Sequence, residues 1–231
     1  MRRRLPKLSD QRGITLIELV VATGAGAVVF LGLTMVVIAS MHQMTRITDR
    51  VHATSEARTV LHRIVTELHS ACVAAEVAPI QANSTASSMT FVYQTGSGAA
   101  LTPVLRKISL SGTTLSQTTY AATSGSTPQW TFSSTPSSTR TLLTNVSAVS
   151  ESQPLFRYYS FSNGQISSTP LSVPLSATNA AFTTQVNIAL KVSPDKRPVT
   201  DVKGPAIVQD SAYLRFSPPA AVTSAANLPC E

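Results

Sequence analysis

Residues 14–40 read ITLIELVVATGAGAVVFLGLTMVVIAS, and Glu18 is the only charged residue in this run of 27. As a helix with a rise of 1.5 Å per residue the run would be about 40 Å long, more than the ~30 Å hydrocarbon core of a bilayer. A cleavable secretory signal is the alternative, but its apolar region is shorter, roughly 7–15 residues. The sequence therefore predicts one transmembrane helix over 14–40.

Basic residues cluster just before the apolar run. Five basic residues and one acid within 1–13 contribute +4 of the net charge of +7, and the rest is scattered. Because such flanks stay in the cytoplasm, we expect a single-pass protein with a cytoplasmic N-terminus and an extracytoplasmic bulk. The pairs Arg106-Lys107 and Lys196-Arg197 are too sparse for a basic stripe with interleaved aromatics, so nucleic-acid binding stays only as an alternative.

Glu18 does not fit a segment that serves only as an anchor. A carboxylate inside the bilayer costs roughly 2.5–3.5 kcal/mol, and glutamate is short for reaching the interface from the fifth position of the run. The position of Glu18 therefore indicates a partner on another molecule.

The segment 12–22, RGITLIELVVA, resembles the prepilin processing motif of type IV pilins and type II secretion pseudopilins. The resemblance implies that a prepilin peptidase cleaves between Gly13 and Ile14 and methylates the new amine of Ile14. It also implies that Glu18 pairs with the N-terminal amine of a neighbouring subunit in the filament. Two features depart from the family: Ile14 stands where phenylalanine is usual, and no helix-kinking proline occurs between Ile14 and Ala78.

The resemblance also implies partners and a location. The partners are the prepilin peptidase, other pilin or pseudopilin subunits, the inner-membrane assembly platform and, before assembly, membrane lipid. The location is the cytoplasmic (inner) membrane, and then the pilus or pseudopilus.

Residues 41–78 predict a continuation of the helix as an amphipathic stem that ends before Pro79. Arg63 and Glu67 form an i,i+4 pair away from its apolar stripe. The segment 55–68, SEARTVLHRIVTEL, is similar to the helix that follows the membrane span in J-type minor pseudopilins and W-type minor pilins. The apolar stripe consists of Ile47, Val51, Ala57, Leu61, Ile64, Leu68, Cys72 and Ala75.

From Pro79 onward, short β-branched runs separated by Ser, Thr, Gly and Pro predict an antiparallel β-sheet head. Asn163-Gly164 favours a two-residue hairpin turn. Segments 155–161 and 186–190 and the strand 213–216 are similar to strands of the same J- and W-type subgroup. The predicted strands are Met89–Gln94, Val104–Leu110, Thr114–Tyr120, Gln129–Phe132, Leu142–Val149, Phe156–Phe161, Thr183–Val192 and Ile207–Phe216.

These segments predict an α+β pilin fold, in which the antiparallel sheet covers the apolar stripe of the long N-terminal helix. The predicted divisions are a leader peptide at 1–13, a transmembrane and filament-core helix at 14–40, an amphipathic stem at 41–78 and a β-rich head at 79–231.

Cys72 and Cys230 are an even count in a chain predicted to be exported, so they permit one disulfide; two unpaired buried thiols are the alternative. The sequences 83–85 and 145–147 match the N-glycosylation pattern, which often occurs by chance.

Catalytic chemistry is not predicted. All four histidines lie in the predicted stem, and no nucleophile, histidine and carboxylate set is available in the head, so the chain is not expected to be an enzyme. No cofactor and no metal site are predicted, since the histidines do not converge. Asp195, Asp201 and Asp210 are candidates for a calcium site, but they lack a known loop spacing.

The function predicted from these features is that of a minor pilin or pseudopilin subunit of a type IV pilus or a type II secretion-like filament. The alternative is a membrane-anchored binding module at a filament tip, which captures DNA or a surface. A membrane-tethered enzyme is disfavoured by the missing catalytic groups.

Overall fold

The computed structural model describes residues 14–71, 78–95, 102–126, 129–162, 164–194 and 205–214. The chain divides into two compact units between Ile47 and Thr48. A single helix, α1 (Leu16–His69), contributes to both units. The predicted α+β composition, a long apolar N-terminal helix together with antiparallel sheets, is confirmed.

The part of α1 in the first unit exposes apolar side chains on every side, from Ile14 to Ile47. Three of its threonine hydroxyls are satisfied within the helix. The hydroxyl groups of Thr23, Thr34 and Thr45 donate to the carbonyl oxygen four residues earlier, over 2.8–3.1 Å. A threonine that bonds to its own helix in this way exposes no unpaired hydroxyl donor to lipid.

The part of α1 in the second unit is one-sided. Its buried apolar row is Ala53, Ala57, Leu61, Ile64 and Leu68, with a spacing of three or four residues that keeps the row on one face. Ile47 and Val51 were predicted to belong to this stripe but are exposed, because burial along α1 begins only at Ala53.

The helix ends earlier than the sequence predicted. The stem was expected to continue to Ala78, but α1 ends at His69. The amide of Ser70 closes the last turn on the carbonyls of Thr66 and Glu67. Two residues after His69, Ala71 forms an antiparallel bridge with Tyr93. Pairing with a strand requires an extended backbone and therefore excludes further helix at that point.

The described residues of the head form ten strands and one short helix, and the strands lie in two five-stranded antiparallel sheets rather than one. The first sheet has the order β1-β2-β3-β4, with β5 also paired to β3; the second has the order β10-β9-β7-β8, with β6 also paired to β9. The elements are β1 (Ser88–Thr95), β2 (Thr102–Ser111), β3 (Thr114–Ser126), β4 (Gln129–Phe132), β5 (Ser138–Leu143), β6 (Val146–Ser147), β7 (Phe156–Ser162), β8 (Gln165–Ile166), α2 (Ala177–Ala181), β9 (Thr183–Val192) and β10 (Ala206–Tyr213).

The buried side chains of α1 and of both sheets form one apolar cluster. Met89, Phe91 and Ile108 come from the first sheet, and Ile188 and Leu190 from the second. Burial of this apolar surface is the main favourable contribution to folding of the head.

Two asparagines have a left-handed backbone, and one of them, Asn145, interrupts a predicted strand. Asn83 and Asn145 have φ angles of 65° and 55°, in the left-handed region that asparagine tolerates better than most residues. The predicted strand Leu142–Val149 was therefore wrong: β5 ends at Leu143, and only Val146–Ser147 pairs again, with β9. Both asparagines begin glycosylation-like triplets, and their backbone conformation gives each residue a structural role.

The hairpin predicted at Asn163-Gly164 is confirmed. Ser162 pairs with Gln165 and Phe161 with Ile166 on either side of the turn, and Gly164 has a φ angle of 80°. Such an angle is accessible to glycine without steric strain. The short helix α2 was not predicted; it begins at Ser176, whose hydroxyl accepts from the amide of Asn179 over 3.1 Å.

Tyr158 joins the second sheet to the loop before β1. Its ring is fully buried, and its hydroxyl donates to the carbonyl oxygen of Thr85 over 3.0 Å. Burial raises the pKa of the Tyr158 phenol well above its ordinary value, because the ionised form would lose its hydration.

This shift predicts a loss of stability at high pH. Below about pH 10, the pKa of tyrosine in the unfolded chain, Tyr158 is protonated in both states and its contribution to the free energy of unfolding does not change with pH. Above that pH the contribution falls, because the pKa of Tyr158 is higher in the folded state. Above that pH the unfolded chain releases a proton that the folded chain retains, so the free energy of unfolding decreases by up to about 1.4 kcal/mol per pH unit. Tyr158→Phe should remove this part of the slope, as measured by urea unfolding of the full chain in detergent, followed by the fluorescence of Trp130, the single tryptophan.

Tyr213→Phe is the control, because Tyr213 is exposed and should leave the slope unchanged. An identical alkaline slope for wild type and Tyr158→Phe would contradict the prediction.

Candidate functional site

The N-terminus of α1 is organised by Thr15. Its carbonyl oxygen accepts from the amides of Glu18 and Leu19 over 3.0 and 3.1 Å, and its hydroxyl lies 3.4 Å from the Glu18 amide. Thr15 thus takes the place of a helix cap, with glutamate three residues later, which is the pattern of a capping box. The sequence contains this signal, a threonine three residues before Glu18, but a cap at Thr15 was not predicted.

Glu18 therefore has a local role in addition to any role between molecules. A negative charge in the first turn interacts favourably with the helix dipole. The side chain is exposed, and among the described residues no cation forms an ion pair with it. Ile14 is exposed just before the helix begins, whereas Gly13, on the other side of the predicted cleavage point, lies outside the described residues.

The three glycines of the apolar run pack against nothing else in the part of the chain that the structure describes. A Cβ atom added at Gly24, Gly26 or Gly32 would meet no atom within 4 Å. Close approach of another helix would be the physical use of such small residues, since lipid offers no hydrophobic force to bring helices together.

A buried ionic cluster connects α1 to the first sheet, and its centre is Glu67. The carboxylate side chain is only 9% exposed. Its Oε2 atom accepts from Gln117 Nε2 over 2.6 Å and lies 2.8 Å from Arg106 Nη1. Its Oε1 atom accepts from Arg63 Nε over 3.2 Å and lies 3.6 Å from Arg140 Nη2.

The cluster collects its members from four elements: Arg63 and Glu67 from α1, Arg106 from β2, Gln117 from β3 and Arg140 from β5. The strand register brings these residues together. Arg140 of β5 pairs directly with Gln117 of β3, and Arg106 lies two residues from Ile108, the residue of β2 that pairs with Gln117. The predicted i,i+4 pair of Arg63 and Glu67 is confirmed. The placement of Glu67 away from the buried side of the helix was wrong, because the first sheet covers Glu67 and supplies donors that are far away in the sequence.

Gln117 links the two charged layers of the cluster. Its amide nitrogen donates to Glu67, and its Oε1 atom accepts from Arg140 Nε over 2.6 Å and from Arg140 Nη2. Arg106 lies with its guanidinium carbon 4.1 Å from the centroid of the Tyr93 ring, a distance typical of a cation–π contact. Its Nε atom is buried and has no hydrogen-bond partner among the described residues.

Positive charge exceeds negative charge in this cluster. Desolvation and then the neighbouring charge of Arg63 lower the pKa of the Arg140 guanidinium from its ordinary value, and the charge of Glu67 opposes this. Guanidinium groups remain protonated in proteins nevertheless, so three cations surround one carboxylate. The arrangement holds charge in place and contains no group suited to nucleophilic or acid–base chemistry at neutral pH.

The other predicted site residues do not converge. The four histidines of α1, at positions 42, 52, 62 and 69, are all exposed, and within the described ranges no group of three or more potential ligands could hold a metal ion. Asp210 is exposed on β10, and its Oδ1 atom accepts from the amide of Ser211 over 2.8 Å. Asp195 and Asp201, like Cys72 and Cys230 of the predicted disulfide, lie outside the described residues.

By length and composition α1 could cross a membrane, and it is the one such helix among the residues that the structure describes. Comparison with known proteins adds no identity, since no protein-family model and no curated protein matches the chain.

Loss of the charge on Glu67 should destabilise the head strongly. In Glu67→Gln the buried guanidinium of Arg106 loses its counter-ion, and removal of one partner of a buried ion pair typically costs about 3–5 kcal/mol. The double variant with Glu67→Met and Arg106→Met should lose less, because both buried charges are absent. Urea unfolding followed by Trp130 fluorescence measures these differences.

Glu56→Gln is the matched control, since Glu56 is exposed on the same helix and its loss should change the free energy of unfolding by less than about 0.5 kcal/mol. If Glu67→Gln is no less stable than Glu56→Gln, the buried cluster does not stabilise the head.

Proposed function

We propose that this chain is a minor subunit of an extracytoplasmic filament, either a type IV pilus or a type II secretion-like pseudopilus, and that it has a structural rather than an enzymatic role. The observation that carries the proposal is the segment 12–22, which combines the processing motif with an apolar helix and a single acid at Glu18. The fold in this proposal is the pilin fold, with α1 as the stem and the two sheets as the head.

The unusual surface of α1 supports the proposal. Apolar side chains are exposed around the helix between Ile14 and Ile47, and burial of such a surface is strongly favourable. Lipid provides that environment before assembly, and the neighbouring helices of a filament core provide it afterwards. The small residues Gly24, Gly26 and Gly32 would permit close contacts between those helices.

Glu18 supplies the register in this mechanism. Cleavage after Gly13 creates a positively charged amine on Ile14, and methylation leaves that amine basic. A carboxylate in the apolar core is costly without a partner, and pairing with the amine of an adjacent subunit would remove the cost at one axial offset only. The steps follow in order: insertion with the basic end in the cytoplasm, cleavage, methylation and extraction into the filament.

The alternative of a tip module that binds DNA is weakened by the position of Arg106. This residue belonged to one of the two basic pairs in the head, and its guanidinium is engaged with Glu67 and Tyr93. A phosphate-binding surface requires cations that are free to reach the backbone of the nucleic acid.

Processing can be tested by intact mass and N-terminal peptide mapping of the chain co-expressed with a prepilin peptidase. We expect a product that begins at N-methylated Ile14. A bulky substitution, Gly13→Leu, should leave the chain uncut, whereas Gly32→Leu inside the apolar run should be cut normally, because its Cβ position is open. A wild-type chain that retains residues 1–13 would refute the filament proposal.

Assembly can be tested at Glu18 with two substitutions that separate its roles. Gln retains the capping pattern but not the charge, and Ala removes both. If the ion pair sets assembly, Glu18→Gln and Glu18→Ala should both be processed. Both should be reduced about tenfold or more in the sheared filament fraction, since removal of one partner leaves a buried unpaired charge at a cost of more than about 1.4 kcal/mol.

Glu56→Gln, on an exposed face of the same helix, should assemble normally. Normal assembly of Glu18→Gln together with loss of Glu18→Ala would assign Glu18 to helix capping instead of subunit pairing.

A further inference from the structure

The cluster around Glu67 carries two more positive charges than negative ones. Arg63, Arg106 and Arg140 each lie within 4 Å of the same carboxylate, and no other acid among the described residues forms an ion pair with them. One guanidinium would suffice to neutralise Glu67. Two more bring mutual repulsion, which is one of the causes that lower the pKa of Arg140.

The acceptors inside the cluster are engaged. Glu67 accepts from Gln117 and Arg63 and lies 2.8 Å from Arg106 Nη1, and the side-chain oxygen of Gln117 accepts from Arg140. A guanidinium carries five N–H donors, so Arg63 and Arg140 retain donors that the cluster does not satisfy.

Those remaining donors are accessible. The side chains of Arg63 and Arg140 are 53% and 41% exposed, in contrast to 15% for Arg106. They come from different elements, the last turns of α1 and the strand β5, yet both face the same Oε1 atom of Glu67. The two exposed guanidiniums are therefore close enough to engage one further anion together.

We propose that Arg63 and Arg140 bind a carboxylate side chain of a neighbouring protein subunit, and this inference rests on the filament role proposed above. The charge excess calls for an anion, and guanidinium groups match the planar geometry of a carboxylate. Glu67 accepts from Arg63 and Gln117 accepts from Arg140, so both guanidinium groups are already oriented when the partner binds. The partner is identified by its chemistry, an aspartate or glutamate on the surface of the adjacent subunit.

The test uses zero-length crosslinking with a carbodiimide, which joins an amine to a carboxylate in direct contact. Arginine does not react, so Arg140→Lys and, separately, Arg63→Lys introduce an amine at each position of the full chain. The variants are produced in cells that assemble the filament, and the crosslinked peptides are identified by mass spectrometry. Arg58→Lys is the control, because Arg58 is exposed on the same helix and forms no ion pair with Glu67.

The expected result is an amide bond from position 140 or 63 to an Asp or Glu of another chain, at least about tenfold more abundant than with Arg58→Lys. Reversal of the charge in Arg140→Glu should remove the variant from filaments, and Lys in place of the crosslinked acid should restore it. Links found only within the same chain, to Glu67 or to Glu76, would overturn the inference.

The same samples distinguish failure of the arginine site from failure of the proposed filament role. Chains that are cut at Ile14 and assembled, but that give no intermolecular link at either position, refute the arginine site alone. Chains that are never cut refute the filament role and the arginine site together.

Discussion

The head is organised around one face of α1. The row Ala53, Ala57, Leu61, Ile64 and Leu68 has to be covered, and a helix cannot cover itself. Two antiparallel sheets supply the cover, and their inward residues merge with the row into one cluster. The small residues Ala53 and Ala57 leave room for close packing at one end of the row, whereas Leu61, Ile64 and Leu68 fill the space at the other. Strand register and the positions of the loops follow from the need to place apolar residues against this face.

Glu67 places a buried negative charge beside this apolar face. An acid next to Leu68 would be unfavourable in an apolar core, because desolvation of a charge is costly. The first sheet offsets this cost of desolvation with an ion pair from Arg106 and a hydrogen bond from Gln117. The ionic cluster therefore adds a directional constraint to an otherwise non-directional apolar contact, and allows one alignment of α1 on β2, β3 and β5 in which all partners meet. The two more exposed arginines, Arg63 and Arg140, contribute little to the stability of the head, since exposed ion pairs are worth about 1 kcal/mol or less.

The strand pattern shows how far local signals reach. Gln129–Phe132 and Thr183–Val192 were predicted with the observed boundaries, and the turn at Gly164 was recognised from its Asn-Gly pair. The break at Asn145 was not predicted, because an isolated asparagine between β-branched residues does not by itself indicate a left-handed backbone. The end of α1 was placed too late for a related reason: the residues up to Val77 suit a helix, and only the bridge from Ala71 to Tyr93 competes with it.

Local sequence signals predict the long apolar helix, its basic flank, the position of Glu18 and the β-rich head, because hydropathy, periodicity and turn residues act over a few neighbouring positions. The folded structure was needed to show that the strands form two sheets, that Val51 lies outside the buried row and that Glu67 is a buried centre of charge. Gln117 is 50 residues away from Glu67 along the chain. Contacts over such separations depend on the register of strands that have first to assemble around the helix, and no local pattern encodes them.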